Sequence, residues 1–235
     1  MYFLSYNNRP CTDLNVYVKT RPVIPAPERQ IDDIPIQGGE TLYQDYEEYN
    51  DINITVPFNF IDRNNVQGKF RELKCWLYGQ NDNKLYLSND MNYFYKVNKV
   101  KVGELTTIYK VKGDFNAVFT CSPYLYSTDG QEKISLPSEL YNYSWLYSKP
   151  IFILEGEGLI TLIINGNSIK LNIGQSIIVD TEKELIFREG NIENQRKTGK
   201  WSDLYLMPGK NTLSYILADG STLNSIKLIP NWREL

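Results

Sequence analysis

Only Val66 to Leu77 spaces its apolar residues as a helix would; most of the rest alternates with a period of two, which confines the fold to the mainly β class. Val66, Phe70, Leu73 and Leu77 recur at offsets of four, three and four, and Trp76 widens the stripe. Asn64 or Asn65 can cap the start and Gly79 suits the end, so a single helix is predicted over about residues 64–78.

Around that helix the pattern is short strands punctuated by turns. Asp13 to Lys19 sets Leu14, Val16 and Val18 against polar neighbours, and Ile52 to Phe60 does the same with Ile52, Ile54, Val56, Phe58 and Phe60. Lys84 to Ser88, Tyr93 to Val102, Leu105 to Val111 and Asp114 to Ser122 read as further strands, the last ended by Pro123. Between Thr20 and Glu40, Pro22, Pro25, Pro27, Pro35 and the Gly38-Gly39 pair exclude a helix or a central strand and leave an extended arm or long loop.

At 235 residues the chain has room for two cores. Tyr126 to Lys149 is softer and more polar, which suggests an N-terminal domain over 1–140 and a C-terminal one over 141–235. The second half is purely β, with Asn165-Gly166 marking a hairpin and turns expected at Gly156 and Gly158, Glu189-Gly190, Pro208-Gly209 and Asp219-Gly220. Short strands with glycine turns argue for a sandwich or jelly roll.

Composition narrows function further. The chain has no histidine, which removes the commonest general base, the usual nucleophile triads and most zinc sites. Cys11, Cys75 and Cys121 are too few and too scattered for a disulfide framework or metal knuckle and read as buried free thiols. Glu155 with Glu157 and Asp180 with Glu182 are the remaining acid pairs, and both read as solvated residues beside turns. No catalytic residue, cofactor or metal ligand is therefore assigned. A net charge of −3 provides no general attraction to phosphate backbones. Met1 to Leu14 lacks the basic and apolar regions of a leader, and no stretch is apolar enough for a bilayer, so we expect a soluble cytoplasmic product with no membrane partner.

The 18 tyrosines point to contact surface. The densest patch is Tyr43, Tyr46 and Tyr49 among Asp45, Glu47, Glu48 and Asp51, either a wet loop or a contact between subunits. As a helix it would bring Tyr43 and Tyr46 together; as a strand it would not. Trp145 and Trp201 in a small β domain fit the core or, alternatively, the platform of a carbohydrate-binding, lectin-like module. Trp232, after the strand-like Ile226 to Ile229 and Pro230, is expected to pack on the N-terminal domain or the junction, with Arg233 pairing to a carboxylate.

Three passages, in this order, resemble the phage distal tail protein (Dit) family. Ile24-Pro25-Ala26-Pro27-Glu28-Arg29 and Ile34-Pro35-Ile36-Gln37-Gly38-Gly39-Glu40-Thr41-Leu42 are similar to its Pro-x-Arg and Ile-Pro-Gly-Arg-x-Gly-x-Leu passages, although the latter's arginine is missing. Trp76-Leu77, Leu85 to Asp90, Gly113-Asp114-Phe115 and Cys121-Ser122-Pro123-Tyr124 follow its middle. Val179 to Glu182, Leu206 to Asn211 and Pro230-Asn231-Trp232-Arg233-Glu234-Leu235 follow its end, with Asn231 where arginine is common.

The resemblance implies an N-terminal β domain with one helix that closes into a hexameric ring, and a C-terminal galectin-like β-sandwich. It implies a virion structural protein of a siphophage or prophage, not an enzyme, assembled in the host cytoplasm and placed at the tail tip as a baseplate hub. Implied partners are copies of itself, the tail tube protein, a tail-associated lysin or fibre protein and a receptor-binding protein, with DNA passing through without tight binding. Interface or structural candidates are then Tyr43, Tyr46, Tyr49, Trp76, Trp201, Trp232 and Arg233. A bore must let a polyanion slide, so Asp32, Asp33, Glu40, Asp45, Glu47 and Glu48 are the candidates to line it.

Overall fold

The computed structural model describes residues 2–79 and 81–235, with the side chain of residue 47 outside that description. The chain is mainly β with one α-helix among the described residues, and it divides into two compact units, one running to Leu125 and taking in Leu235, the other Tyr126–Glu234. No helix among the described residues is long and apolar enough to cross a membrane.

In the first unit the strands are β1 (Leu4–Tyr6), β2 (Arg9–Pro10), β3 (Val16–Val18), β4 (Arg29–Ile34), β5 (Leu42–Tyr49) and β6 (Ile52–Ile61). Helix α1 (Val66–Tyr78) follows, then β7 (Lys84–Leu87), β8 (Asp90–Val102), β9 (Thr106–Ile108) and β10 (Lys112–Ser127). The main sheet has the order β2-β1-β7-β8-β10-β6-β3, while β4 and β5 form a separate two-stranded sheet. The alternation read in β6 buries Ile52, Ile54, Val56, Phe58 and Phe60, and opposite it Phe115, Ala117, Phe119 and Cys121 turn to the same core. Phe115 stacks on Phe58 at 5.3 Å and receives Phe70 of the helix edge-on at 5.2 Å.

The helix starts where the spacing predicts: the Asn65 side chain accepts from the backbone N–H of Gly68 at 2.7 Å. Its end differs from the expected left-handed glycine cap. Gly79 is extended at φ −61°, and a Cβ there would lie 2.1 Å from Asn7 Nδ2. Asn7 closes the helix instead: its amide donates to the Trp76 carbonyl and its Oδ1 accepts from the N–H groups of Asn81 and Asp82.

Two other expectations change. Of the predicted strand Asp13 to Lys19, Asp13 and Leu14 belong to the 3-10 turn Cys11–Leu14 and pairing begins at Val16. Strand β10 runs through Pro123 to Ser127; its pairing with β6 ends at Cys121 opposite Ile52, so the missing proline N–H forfeits no bond to that neighbour.

The second unit holds β11 (Ile134–Ser135), β12 (Glu139–Asn142), β13 (Ile151–Ile164), β14 (Asn167–Asp180) and β15 (Leu185–Arg188). It continues with β16 (Asn191–Ile192), β17 (Lys197–Thr198), β18 (Gly209–Leu217), β19 (Thr222–Ile229) and β20 (Arg233–Glu234). Strands β11 and β12 pair with β19 and β18, which is why the division falls at Tyr126 and not near residue 140: the soft segment supplies edge strands to the second sheet system.

The Asn165-Gly166 hairpin forms as read, with φ of 52° and 83°, but its strands are much longer than the local pattern suggests. Gly156 and Gly158 lie inside β13 and are not turns. Strands β18 and β19 run end to end along the edge of β13 opposite β14, and the Ala218–Ser221 connection crosses that edge at Gly158. A Cβ on Gly158 would lie 2.3 Å from Ser221 Oγ, the atom that accepts from the Leu159 N–H. Asp219-Gly220 forms the turn read from the sequence, the Ser221 N–H donating to the Ala218 carbonyl at 3.0 Å, and it joins two strands that continue along one edge. Phe152, Leu154, Ile160, Leu162 and Ile164, all on one face of β13, build the core of this unit with Leu171, Ile177 and Val179.

Candidate assembly surface

The arm predicted from its prolines is a β-hairpin. Ile34 opposes Leu42, Asp33 opposes Tyr43, Asp32 opposes Gln44 and Ile31 opposes Asp45, with an irregularity before Arg29 meets Tyr49. Gly38 (φ +78°) and a bond from Gly39 N–H to the Ile36 carbonyl turn the chain. At the root, Asn50 N–H donates to Glu28 O, and Tyr49 meets Tyr124 edge-on at 6.3 Å.

Every residue of β4 is exposed. The hairpin leaves Ile31, Ile34, Ile36, Leu42, Tyr43 and Tyr46 in solvent, and none of them joins either core. Cross-strand polar contacts hold it: Arg29 grips Asp45 with two nitrogens, at 2.8 and 2.9 Å, and the Tyr46 hydroxyl donates to Asp32 at 2.8 Å. That bond to Asp32 raises the Tyr46 pKa. Because the segment is a strand, Tyr46 shares a face with Asp32 and Gln44 while Tyr43 lies on the other, so the tyrosines form no single stripe.

Asp32, Asp33, Glu40, Asp45 and Glu48 are exposed on this hairpin; the Glu47 side chain lies outside the described residues. From Glu28 to Tyr49 the sequence has seven carboxylates and one cation, a net −6 in a chain whose total is −3. No group of three His, Cys, Asp or Glu side chains that could hold a metal ion occurs among the described residues.

The remaining candidates sit in packed surroundings. Trp76 is buried in the first unit, its Nε1–H donating to the Tyr6 carbonyl at 2.9 Å and its ring edge-on to Phe58 and Tyr6. Trp201 opens a 3-10 turn and packs on the second core beneath Lys197, whose Nζ lies 4.5 Å from the ring centroid. The closing segment is tied to the residues that begin the second unit: Trp232 O accepts from Ser127 N–H, and Asn231 N–H donates to Gly130 O. The Asn231 amide, buried, donates to Lys149 O and accepts from Gln131. Arg233 is buried as well; its Nε donates to Tyr147 O and its guanidinium lies 4.6 Å from that ring's centroid. The buried roles of Asn7, Asn231 and Arg233 depend on partners distant in the sequence: Arg233, a candidate from sequence, meets the carbonyl and ring of Tyr147, Asn231 stood out only as a departure from the resembled ending, and Asn7 gave no signal.

Glu155 accepts from Ser225 Oγ, and Asp180 receives the N–H groups of Glu182 and Lys183 as a turn cap.

A chain of this architecture has the fold of a phage distal tail protein. Among the solved structures it matches is the SPP1 Dit (gp 19.1) protein, described as "a paradigm of hub adsorption apparatus in Gram-positive infecting phages"; the match covers 100% of both chains at 12% identity and a TM-score of 0.60. The resemblance drawn from sequence motifs thus meets a full-length structural match. No family model and no curated protein matches the sequence.

Proposed function

We propose that this protein is a structural subunit of a phage tail tip, a distal tail hub that closes into a ring, with six copies expected, between the tail tube and the adsorption apparatus. The observation that carries the reading is the hairpin arm of β4 and β5, which exposes six large apolar side chains and buries none of them in its own core. Apolar surface of that kind marks an interaction site, and a strand pair with free edges is a template for association between copies. The full-length match to the SPP1 Dit fold supports the same reading.

In a ring, the arm's apolar residues seat on the adjacent copy in a head-to-tail contact that closes by rotation. Its carboxylates, Asp32, Asp33, Glu40, Asp45, Glu47 and Glu48, give the bore an acidic rim that repels DNA and so lets it slide. The work is geometric and calls for no enzymatic step. The second unit is galectin-like in this reading. The tail tube protein above, a tail-associated lysin or fibre protein below and a receptor-binding protein outside are the partners, and the mature location is the virion tail tip.

Multi-angle light scattering with negative-stain microscopy tests the reading. Closed rings with a central opening are expected; a strict monomer over a wide concentration range, with or without the adjacent tail proteins, would overturn it.

A further inference from the structure

The second unit exposes aromatic rings that its core does not use. From Tyr141 to Trp145 alternate side chains point in opposite directions: Asn142 and Ser144 are buried, while Tyr141, Tyr143 and Trp145 are 51%, 90% and 64% exposed. The buried partners fix this alternation. The Asn142 amide donates to the carbonyls of Leu146 and Leu206 while its Oδ1 accepts from Ser144 N–H, and the Ser144 hydroxyl donates to Arg233 O at 2.6 Å. Arg233 then locks the far side through Tyr147. Buried hydrogen bonds tie this segment and hold its three rings in water.

We propose that Tyr141, Tyr143 and Trp145 form a saccharide-binding platform that takes the apolar C–H faces of pyranose rings in a neutral polysaccharide. Rigid aromatic rings presented in advance bind at small ordering cost. The centroids of Tyr141 and Tyr143 lie 4.7 Å apart with their planes tilted at 50°, close enough for one pyranose ring to touch both. The polar complement is adjacent: Lys210, the cross-strand partner of Tyr141, bridges to Glu139 at 2.7 Å, placing a carboxylate and an ammonium group where ring hydroxyls need partners. Area separates a sugar from a protein as the occupant. Three aromatic side chains exposed to this extent offer roughly 300–500 Å², below the ~800 Å² per partner of a stable protein interface. Trp201, the other tryptophan considered for this role, is partly buried under Lys197 and does not belong to the platform.

The inference does not rest on ring formation and is tested apart from it. Cellohexaose, chitohexaose and laminarihexaose are titrated against the full chain, reading tryptophan fluorescence and saturation-transfer NMR from the sugar. Saturable binding of at least one is expected, weakened roughly tenfold or more in Tyr143→Ala and in Trp145→Ala, with melting temperature and oligomeric state unchanged because both rings are exposed. Trp201→Phe should bind as the parent does. No saturable binding of any of the three sugars, or binding that survives the double alanine variant, would overturn the platform; loss of oligomers in that variant would overturn it in favour of a protein contact.

Discussion

Replacing Ile34 and Leu42 together by serine isolates the arm's contribution to assembly. These residues oppose each other near the hairpin turn, 43% and 57% exposed. Their joint exposure amounts to about one whole aliphatic side chain, and covering one is worth roughly 1.5–3 kcal/mol. Each contact in a ring should therefore weaken by about 10- to 150-fold, and the loss recurs at every interface of a closed ring. Sedimentation velocity across a concentration series should show oligomers giving way to subunits at concentrations where the parent is assembled. Neither residue contributes to a core, so the circular dichroism spectrum of the dissociated subunit should be unchanged and its unfolding free energy should move by no more than about 0.5 kcal/mol. Oligomers as stable as the parent's would refute the argument that this apolar surface drives assembly, and a clearly destabilised subunit would refute the claim that the arm packs on nothing of its own.

Three further outcomes follow from the packing. Trp76→Phe removes the buried indole bond to the Tyr6 carbonyl and part of the ring packed against Phe58 and Tyr6, so urea denaturation should show a loss of about 2–4 kcal/mol; a change below about 1 kcal/mol would contradict the buried bond. Gly158→Ala should cost more than Gly166→Ala: both glycines have positive φ, but only Gly158 meets a neighbour, Ser221, and Gly166 has nothing within 4 Å. Strain alone predicts about 1 kcal/mol for each, so equal midpoints would remove the close approach as the reason for that glycine. Asp114 has its pKa lowered from 3.8, first by its hydrogen bond from Lys19 at 2.9 Å. A lowered folded pKa stabilises above the unfolded value and is lost as pH falls through the folded one. The stability gap between the parent and Lys19→Met should accordingly be present at neutral pH and shrink below about pH 3.8 in denaturant titrations; a gap independent of pH would contradict it.

What the sequence determined by itself is local. The helical stripe of Val66, Phe70, Leu73 and Leu77, the Asn65 cap, the alternation of β6 and the Asn165-Gly166 hairpin each follow from side chains within a dozen residues of one another, where periodicity and turn chemistry suffice. The prolines showed that residues 20–40 leave the sheet, and the motif order carried the resemblance to the distal tail fold. Tertiary structure decided what depends on neighbours distant in the chain. Gly156 and Gly158 look like turn residues until β18 and β19 are seen to pass end to end beside them, and Pro123 looks like a stop until β6 is seen to finish opposite Cys121. Residues 126–149 look like a linker until β18 and β19 supply the partners for β11 and β12. The acidic tyrosine patch could be loop, helix or strand, because its side chains find no core to choose for them; pairing with β4 makes it a strand and sends Tyr43 and Tyr46 to opposite faces. Exposure was the least legible property: Trp76, Trp145 and Trp201 are the same residue in sequence, and only the burial of Asn142 on the Leu146 and Leu206 carbonyls and of Ser144 on the Arg233 carbonyl sends Trp145 outward while the other two pack inward.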